Sequence, residues 1–285
     1  MQDQSTIHNV SDTALWIAAY RAQETESSNA AFNDHLARKL AGTRGFEMIA
    51  DTPHTEAMAF AMTIRTVAID RLVMSAISKG VDTVINLGAG LDTRPYRMQL
   101  PAQLKWIEAD FPAIIDYKNE LLANDRPRCY LERISIDLSQ EAERKKLFQQ
   151  LNDQSDKALV ITEGVIGYLT NEHAAALSKD LFAMPSFQYW IMEYDQGRLR
   201  RRRETKDLSK KLVHAPLKFD HAKPLDFFGA HGWKVCENRF ILDEADSIGK
   251  KLPIGFPWNI LMKLFHKRVR MMGNETYGYC MFCKS

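Results

Sequence analysis

Thr83-Val84-Ile85-Asn86-Leu87-Gly88-Ala89-Gly90-Leu91-Asp92-Thr93-Arg94 reads as a β-branched strand that runs straight into a Gly-Ala-Gly turn. Glycine permits the tight turn and lets a ligand approach the backbone closely. In open α/β sheets, ligands bind at the carboxyl ends of the strands. Asp110 ends the next apolar run, about 20 residues beyond the glycines, where an acid can accept hydrogen bonds from a ribose diol. Taken alone, this fits a dinucleotide or an adenosyl cofactor. Thr93 stands at the third glycine position, and the anionic Asp92 beside it disfavours a pyrophosphate on the helix start and suits a cationic sulfonium or amine.

Outward from this turn, strand and helix patterns alternate. Strand-like runs fall at Thr83–Leu87, Lys105–Glu108, Arg133–Ile136, Ala158–Thr162 and Gln188–Met192, and helical patterns follow the first four. Such alternation predicts a parallel sheet with helices on both faces. Trp233–Phe240 and Tyr277–Lys284 read as two final strands, an antiparallel, hairpin-like pair. The expected fold is therefore α/β: a doubly wound, mostly parallel, seven-stranded Rossmann-like sheet.

Upstream, Glu56–Lys79 has apolar residues at helical spacing and is closed by Gly80. Asp12–Leu40 reads as further helix broken at Ser27-Ser28-Asn29, and residues 1–55 are expected to cover the ligand end of the sheet. Residues 197–230 are expected to form a helical insertion or lid after the fifth strand, all within one domain spanning 1–285. The basic run Arg198–Arg203 lacks interleaved aromatics and reads as a solvated helix face.

Three further features bear on a site. Asp137 and Glu163 close the third and fourth strands; each could line the ligand edge or cap the next helix. Arg65 falls on the apolar register of its helix between Met62 and Ile69, and a cation there needs an anion. That anion could be a protein carboxylate such as Asp92 or Glu163, or a ligand carboxylate. His173, His214 and His221 are conceivable bases, but each reads as a surface residue. No Ser-His-Asp or Cys-His signature is present, and no catalytic residue is assigned.

Composition bounds the rest. The 285 residues are 45% hydrophobic and 26% charged, with a formal net charge of +2, so bulk charge gives no argument for nucleic acid. No run approaches the roughly 18 to 20 apolar residues of a membrane span. Met1–Ser11 is polar, unlike a signal peptide, and a cytoplasmic location is expected. Cys280 and Cys283 form a lone C-x-x-C, incomplete as a zinc site and read as structural thiols.

Several motifs together resemble the leucine carboxyl methyltransferase and polyketide O-methyltransferase family. They are Arg65-Thr66 with Ile69-Asp70, Asn86 to Arg94 with Tyr96-Arg97, Trp106 to Pro112 with Lys118, and Glu163-Gly164 with Tyr168-Leu169. Thr13 to Trp16, Arg21-Ala22 and Gly232-Trp233 add support. The resemblance implies a class I methyltransferase fold and S-adenosyl-L-methionine as cofactor. It places Arg65 on the cofactor carboxylate, the Gly88-Ala89-Gly90 turn against its backbone-facing side and Asp110 on the ribose. It places Asp137 and Leu138 at the adenine, Glu163 near the amine or ribose edge, and Tyr168 at the acceptor pocket. The implied reaction is O-methylation of a carboxylate or phenol of a small molecule. Carboxyl methylation of a protein C-terminus and a cofactor-binding module without turnover are the alternatives. No metal, nucleic acid or membrane partner is expected.

Overall fold

The computed structural model describes residues 10–51, 55–196, 217–253 and 277–284. Much of the expected insertion, with Arg198–Arg203 and His214, lies outside these residues. Among them the chain forms a seven-stranded sheet of order β3-β2-β1-β4-β5-β7-β6. Strands β1 (Thr83–Leu87), β2 (Lys105–Asp110), β3 (Tyr130–Ser135), β4 (Ala158–Ile161) and β5 (Phe187–Asp195) are parallel, while β7 (Tyr277–Cys283) runs antiparallel between β5 and β6 (Lys234–Phe240). The last two strands thus pair with each other, as expected. Residues 241–276 rather than a tight turn separate them, and β7 lies between β6 and the parallel strands.

Period-two alternation divides the buried strand residues between two layers. Ile85, Ile107 and Val160 pack on one face with Leu147, Phe148, Leu177 and Leu181 from α6 (Glu141–Asp153) and α7 (Asn171–Ala183). Val84, Trp106 and Leu159 pack on the other face with Ile64, Ala68, Leu72 and Ala76 from α3 (Thr55–Ser78). Central β1 and β4 are buried on both faces, as expected of parallel strands between helical layers. A third cluster joins α1 (Val10–Thr25) and α2 (Ala37–Ala50) to Leu91 and Tyr96 beside the glycine turn. Gly45 allows that closeness: a Cβ there would lie 2.7 Å from the Leu15 carbonyl oxygen.

Several boundaries differ from the sequence reading. α1 ends at Thr25, and α2 starts at Ala37 and continues to Ala50, turning at Gly42 with φ of 57°. β1 is followed by one turn of helix, α4 (Arg94–Arg97), rather than a full helix. β3 begins three residues early because it is an edge strand, where exposed Tyr130 is tolerated. After β5, the described part of the insertion holds α8 (Pro224–Gly229), and α9 (Ile241–Ser247) follows β6. α5 (Pro112–Leu121) lies between β2 and β3. Cys280 is buried and Cys283 half-buried, both free. Three positions apart on one strand, they point to opposite faces. Among the described residues no helix is long and apolar enough to cross a membrane, and no His, Cys, Asp and Glu group could hold a metal ion.

Candidate active site

The carboxyl ends of β1, β2, β3 and β4 surround a cavity of about 400 Å³. Arg65, Gly88, Ala89, Gly90, Asp110, Asp137, Leu138, Glu163 and Tyr168, singled out from the sequence, all line it. α1 contributes Thr13, Ala14, Ile17 and Arg21 to the same wall.

Gly88 and Gly90 adopt positive φ of 66° and 49°. A Cβ on Gly88 would meet Val165 Cγ2 at 2.5 Å, so this position needs both the conformation and the absence of a side chain. The turn is held from below, since the Gly88 amide donates to the Ala109 carbonyl at 2.8 Å. Asp110, at the end of β2, holds it from the side. Its two oxygens accept from the Gly90 amide at 2.6 Å and the Phe111 amide at 2.7 Å. Burial pushes the Asp110 carboxyl above the usual aspartate range, against the opposing pull of these two amides. Each oxygen keeps a lone pair that a hydroxyl could address.

Arg65 and Glu163 form an ion pair, with Arg65 Nε 2.6 Å from Glu163 Oε1. Of the two protein partners left open for Arg65, Glu163 is the one it uses. Its Nη1 and Nη2 donate to no described residue, and the residue lines the cavity, with the Glu193 carboxyl as a second acid near its charge. Gly164 makes room for them, because a Cβ there would lie 2.8 Å from Arg65 Nη2. Burial opposes ionisation of Glu163, but the Arg94 and Arg65 guanidiniums outweigh it and hold the carboxyl below its ordinary range.

Asp92 corrects one element of the sequence reading. It does not face a ligand as a bare anion. Its oxygens accept from the Arg94 amide, from Arg94 Nη1 and from Asn86 Nδ2, each at 2.8 Å. Burial is again opposed, by Arg94 first, and the carboxyl is held well below the aspartate range. Arg94, 3% exposed, also donates to Glu163 at 2.8 Å and to Asp70 at 2.7 Å, and Arg97 grips Asp70 through both terminal nitrogens. The floor of the cavity is therefore a charge-balanced lattice of arginines and carboxylates.

A second set of bonds ties the N-terminal helices to the glycine turn. Arg21 donates to the Leu91 carbonyl at 2.5 Å and to Asp34 at 2.8 Å, and Asp34 accepts from Thr93 Oγ1 at 2.6 Å. Asp137 accepts from the Ser139 amide at 2.9 Å, so it serves as the cap of its own turn while lining the cavity. Hydrogen bonds from Ser139 hold its carboxyl below the ordinary range. Of the three histidines, His173 sits exposed at the rim, His221 packs at a tilt against Phe227 and does not line the cavity, and His214 lies outside the described residues.

Sequence reasoning missed Arg21, Asp34, Arg94, Arg97, Arg144 and Glu193 as site-forming residues. Half-buried Glu193, near the carboxyl end of β5, accepts the Gly164 amide at 2.9 and 3.0 Å; burial pushes its carboxyl up despite the nearby Arg65. For Arg94 and Arg97 the available signal was two arginines close behind Asp92, directly after the glycine turn.

A family model described as leucine carboxyl methyltransferase matches residues 14–182. A protein of Streptomyces avermitilis, provisionally named an S-adenosyl-L-methionine-dependent methyltransferase, is 32% identical over 56% of this chain and 60% of its own length. The chain thus spans about three fifths of that relative. A Mycobacterium avium protein with the same provisional name is 29% identical across 87% of this chain and 90% of its own. Among solved structures, a DUF574 family protein from Streptomyces avermitilis superposes with a TM-score of 0.61 at 13% identity, covering 94% of this chain and 97% of that one. A Thermobifida fusca protein, provisionally titled a methyltransferase, gives 0.58 at 13% identity, covering 99% and 97%. At such identity these two show the fold alone, and it is the one found here.

Proposed function

The chain belongs to the leucine carboxyl methyltransferase family, with S-adenosyl-L-methionine as its cofactor, and from that premise we propose that it methylates a carboxylate or phenolic oxygen of a small molecule. The observation that carries the cofactor's placement is the pairing, in one cavity, of a guanidinium with two uncommitted nitrogens and a glycine turn flanked by a strand-end carboxylate.

The residues present fit that cofactor. Arg65 Nη1 and Nη2 offer the fork that binds a carboxylate through two hydrogen bonds. Asp110 has acceptor capacity left for ribose hydroxyls. At Gly88 a Cβ would strike Val165, and both Gly88 and Gly90 adopt a positive φ that residues with side chains rarely take. The cavity lies within the size range of small-molecule sites. When bound, the cofactor supplies an electrophilic methyl group on a sulfonium.

The chain's own part is alignment and exclusion of water. Arg65 at the carboxylate and Asp110 at the ribose fix the ligand at two points, and a held geometry replaces the entropy of a bimolecular encounter. Ala14, Ile17, Val165 and Leu169 supply apolar wall around it, and no nucleophile is required. A carboxylate acceptor is already ionised near neutral pH and needs no base, whereas a phenol gains from one. The test is transfer of labelled methyl from S-adenosyl-L-methionine into separate libraries of small carboxylic acids and phenols. The proposal expects label in one of them; label confined to a protein C-terminus would overturn it.

A further inference from the structure

Arg144 is a buried cation that stands apart from the arginine–carboxylate lattice. It sits in the first turns of α6, 7% exposed, on a helix whose neighbouring positions Glu143, Lys145 and Lys146 are exposed. Its Nη1 donates to the Leu138 carbonyl at 2.8 Å. Its Nε and Nη2 both reach Asp180 Oδ2 on α7, at 3.1 and 2.6 Å. One planar group therefore joins three pieces of chain: the β3–α6 turn, α6 itself and α7. The rigid fork of arginine suits such a junction, where a lysine would offer a point charge.

That turn is a wall of the cavity. Ile136, Asp137, Leu138 and Ser139 line it from one side, and Ala176 and Leu177 of α7 line it as well. At its start the turn is fixed to the ribose-side acid, because the Ile136 amide donates to the Asp110 carbonyl at 2.8 Å. At its far end the hydrogen bond to Arg144 holds it. Beside the Leu138 carbonyl that Arg144 engages, the turn carries the Asp137 carboxylate, an acceptor that hydrogen bonds from Ser139 hold below its ordinary range.

We propose that Arg144, braced by Asp180, is a positioning residue that sets the gap between the 137–139 turn and α7 and thereby the pocket's selectivity for the cofactor's base. This rests on the cofactor reading given under Proposed function. A carboxylate at the turn accepts from an exocyclic amine and repels an exocyclic oxygen, so it favours a 6-amino purine over a 6-oxo purine. That discrimination requires the turn to stay where Arg144 holds it. A brace acting on helix packing alone would change stability and leave the discrimination untouched.

The test is calorimetric binding of S-adenosylhomocysteine and S-inosylhomocysteine to the full-length protein and two variants. Arg144→Met leaves Asp180 without its main partner, so the double variant Arg144→Met with Asp180→Met removes both charges and guards against misfolding. Melting and circular dichroism establish that each is folded. Wild-type protein is expected to favour the adenosyl ligand at least about tenfold (on the order of 1.4 kcal/mol), and the folded variants to reduce that preference to under threefold. Lack of preference in the wild type, or full preference in a folded variant, overturns the role of Arg144. Failure of the wild type to bind either ligand instead removes the cofactor reading itself.

Discussion

Arg65 shows how a residue reading gains content from structure. On the page of sequence it is a cation on an apolar stripe, which demands an anion but does not say whose. The fold supplies Glu163 to its Nε and leaves Nη1 and Nη2 without a hydrogen-bond partner among the described residues, on a residue that lines the cavity. Arg65→Met should therefore weaken binding of S-adenosylhomocysteine by about 1.5 to 3 kcal/mol, the value of a charged hydrogen-bonded contact. Binding of 5′-methylthioadenosine, which lacks the carboxylate, should change little. Calorimetry with the two ligands measures this, and equal losses would reduce Arg65 to a structural ion pair. Asp110 gives a pH prediction. Burial raises its folded pKa, so it takes up a proton at higher pH than an ordinary aspartate as the solution is acidified. The neutral acid is a weaker acceptor for a ribose diol, so cofactor affinity should fall on acidification before other aspartates titrate. Asp110→Asn should bind more weakly at neutral pH and lose that acid-side dependence. Asp110, Glu163 and Gly88 were legible because each sits at a strand end, where position alone implies the ligand edge. Arg94 and Arg97 were not, since a one-turn helix leaves no periodicity from which to judge their burial.

At the scale of elements, the parallel strands were readable because central strands buried on both faces need unbroken apolar runs, as in Ala158–Ile161. Edge strands, and strand ends that run past a neighbouring strand, escape that constraint. β3 opens with exposed Tyr130, and β5 continues through Glu193 and Asp195, so their limits were placed three residues off at each of those ends. The link between α1 and the glycine turn was equally hidden, because Arg21 and Asp34 meet Leu91 and Thr93 across long sequence separations. That link carries a prediction. α1 lines the cavity and is bonded to the turn that flanks the ligand, so S-adenosylhomocysteine should slow amide hydrogen exchange in α1 as well as in residues 86–94. Asp34→Ala should leave ligand-induced protection in residues 86–94 and lose most of it in α1. Protection in α1 that survives this substitution would mean that Asp34 does not transmit the coupling.

For the molecule as a whole, alternation of strand and helix implied the doubly wound class but carried no information on strand order. The order β3-β2-β1-β4-β5-β7-β6 depends on crossovers and on where β7 inserts, and these are decided by packing of the two helical layers rather than by local pattern. The arginine–carboxylate lattice under the cavity joins these parts into one unit, since Arg94 bonds Asp70 of α3, Asp92 after β1 and Glu163 after β4. Arg94→Met leaves three carboxylates with reduced compensation and should destabilise the protein by about 3 to 5 kcal/mol in urea unfolding. The pH dependence has a definite sign. Asp92 and Glu163 have depressed folded pKa values, so their stabilisation is full above the unfolded values of about 3.9 and 4.3 and is lost as pH falls through the folded ones. The stability difference between wild type and variant should hold from neutral pH to about pH 5 and shrink below that; a difference that grew on acidification would contradict the lattice as described.

The binding predictions depend on one claim, that the cavity at the carboxyl ends of β1, β2, β3 and β4 holds an adenosyl amino-acid cofactor. Titration calorimetry of S-adenosylhomocysteine against the wild-type protein and Asp110→Ala tests it most directly, with NAD as the control ligand. The account predicts saturable binding at one site, a loss of about 1.5 to 3 kcal/mol in the folded variant, and no heat with NAD. Absence of binding by S-adenosylhomocysteine, preference for NAD, or an unchanged affinity in Asp110→Ala would contradict it.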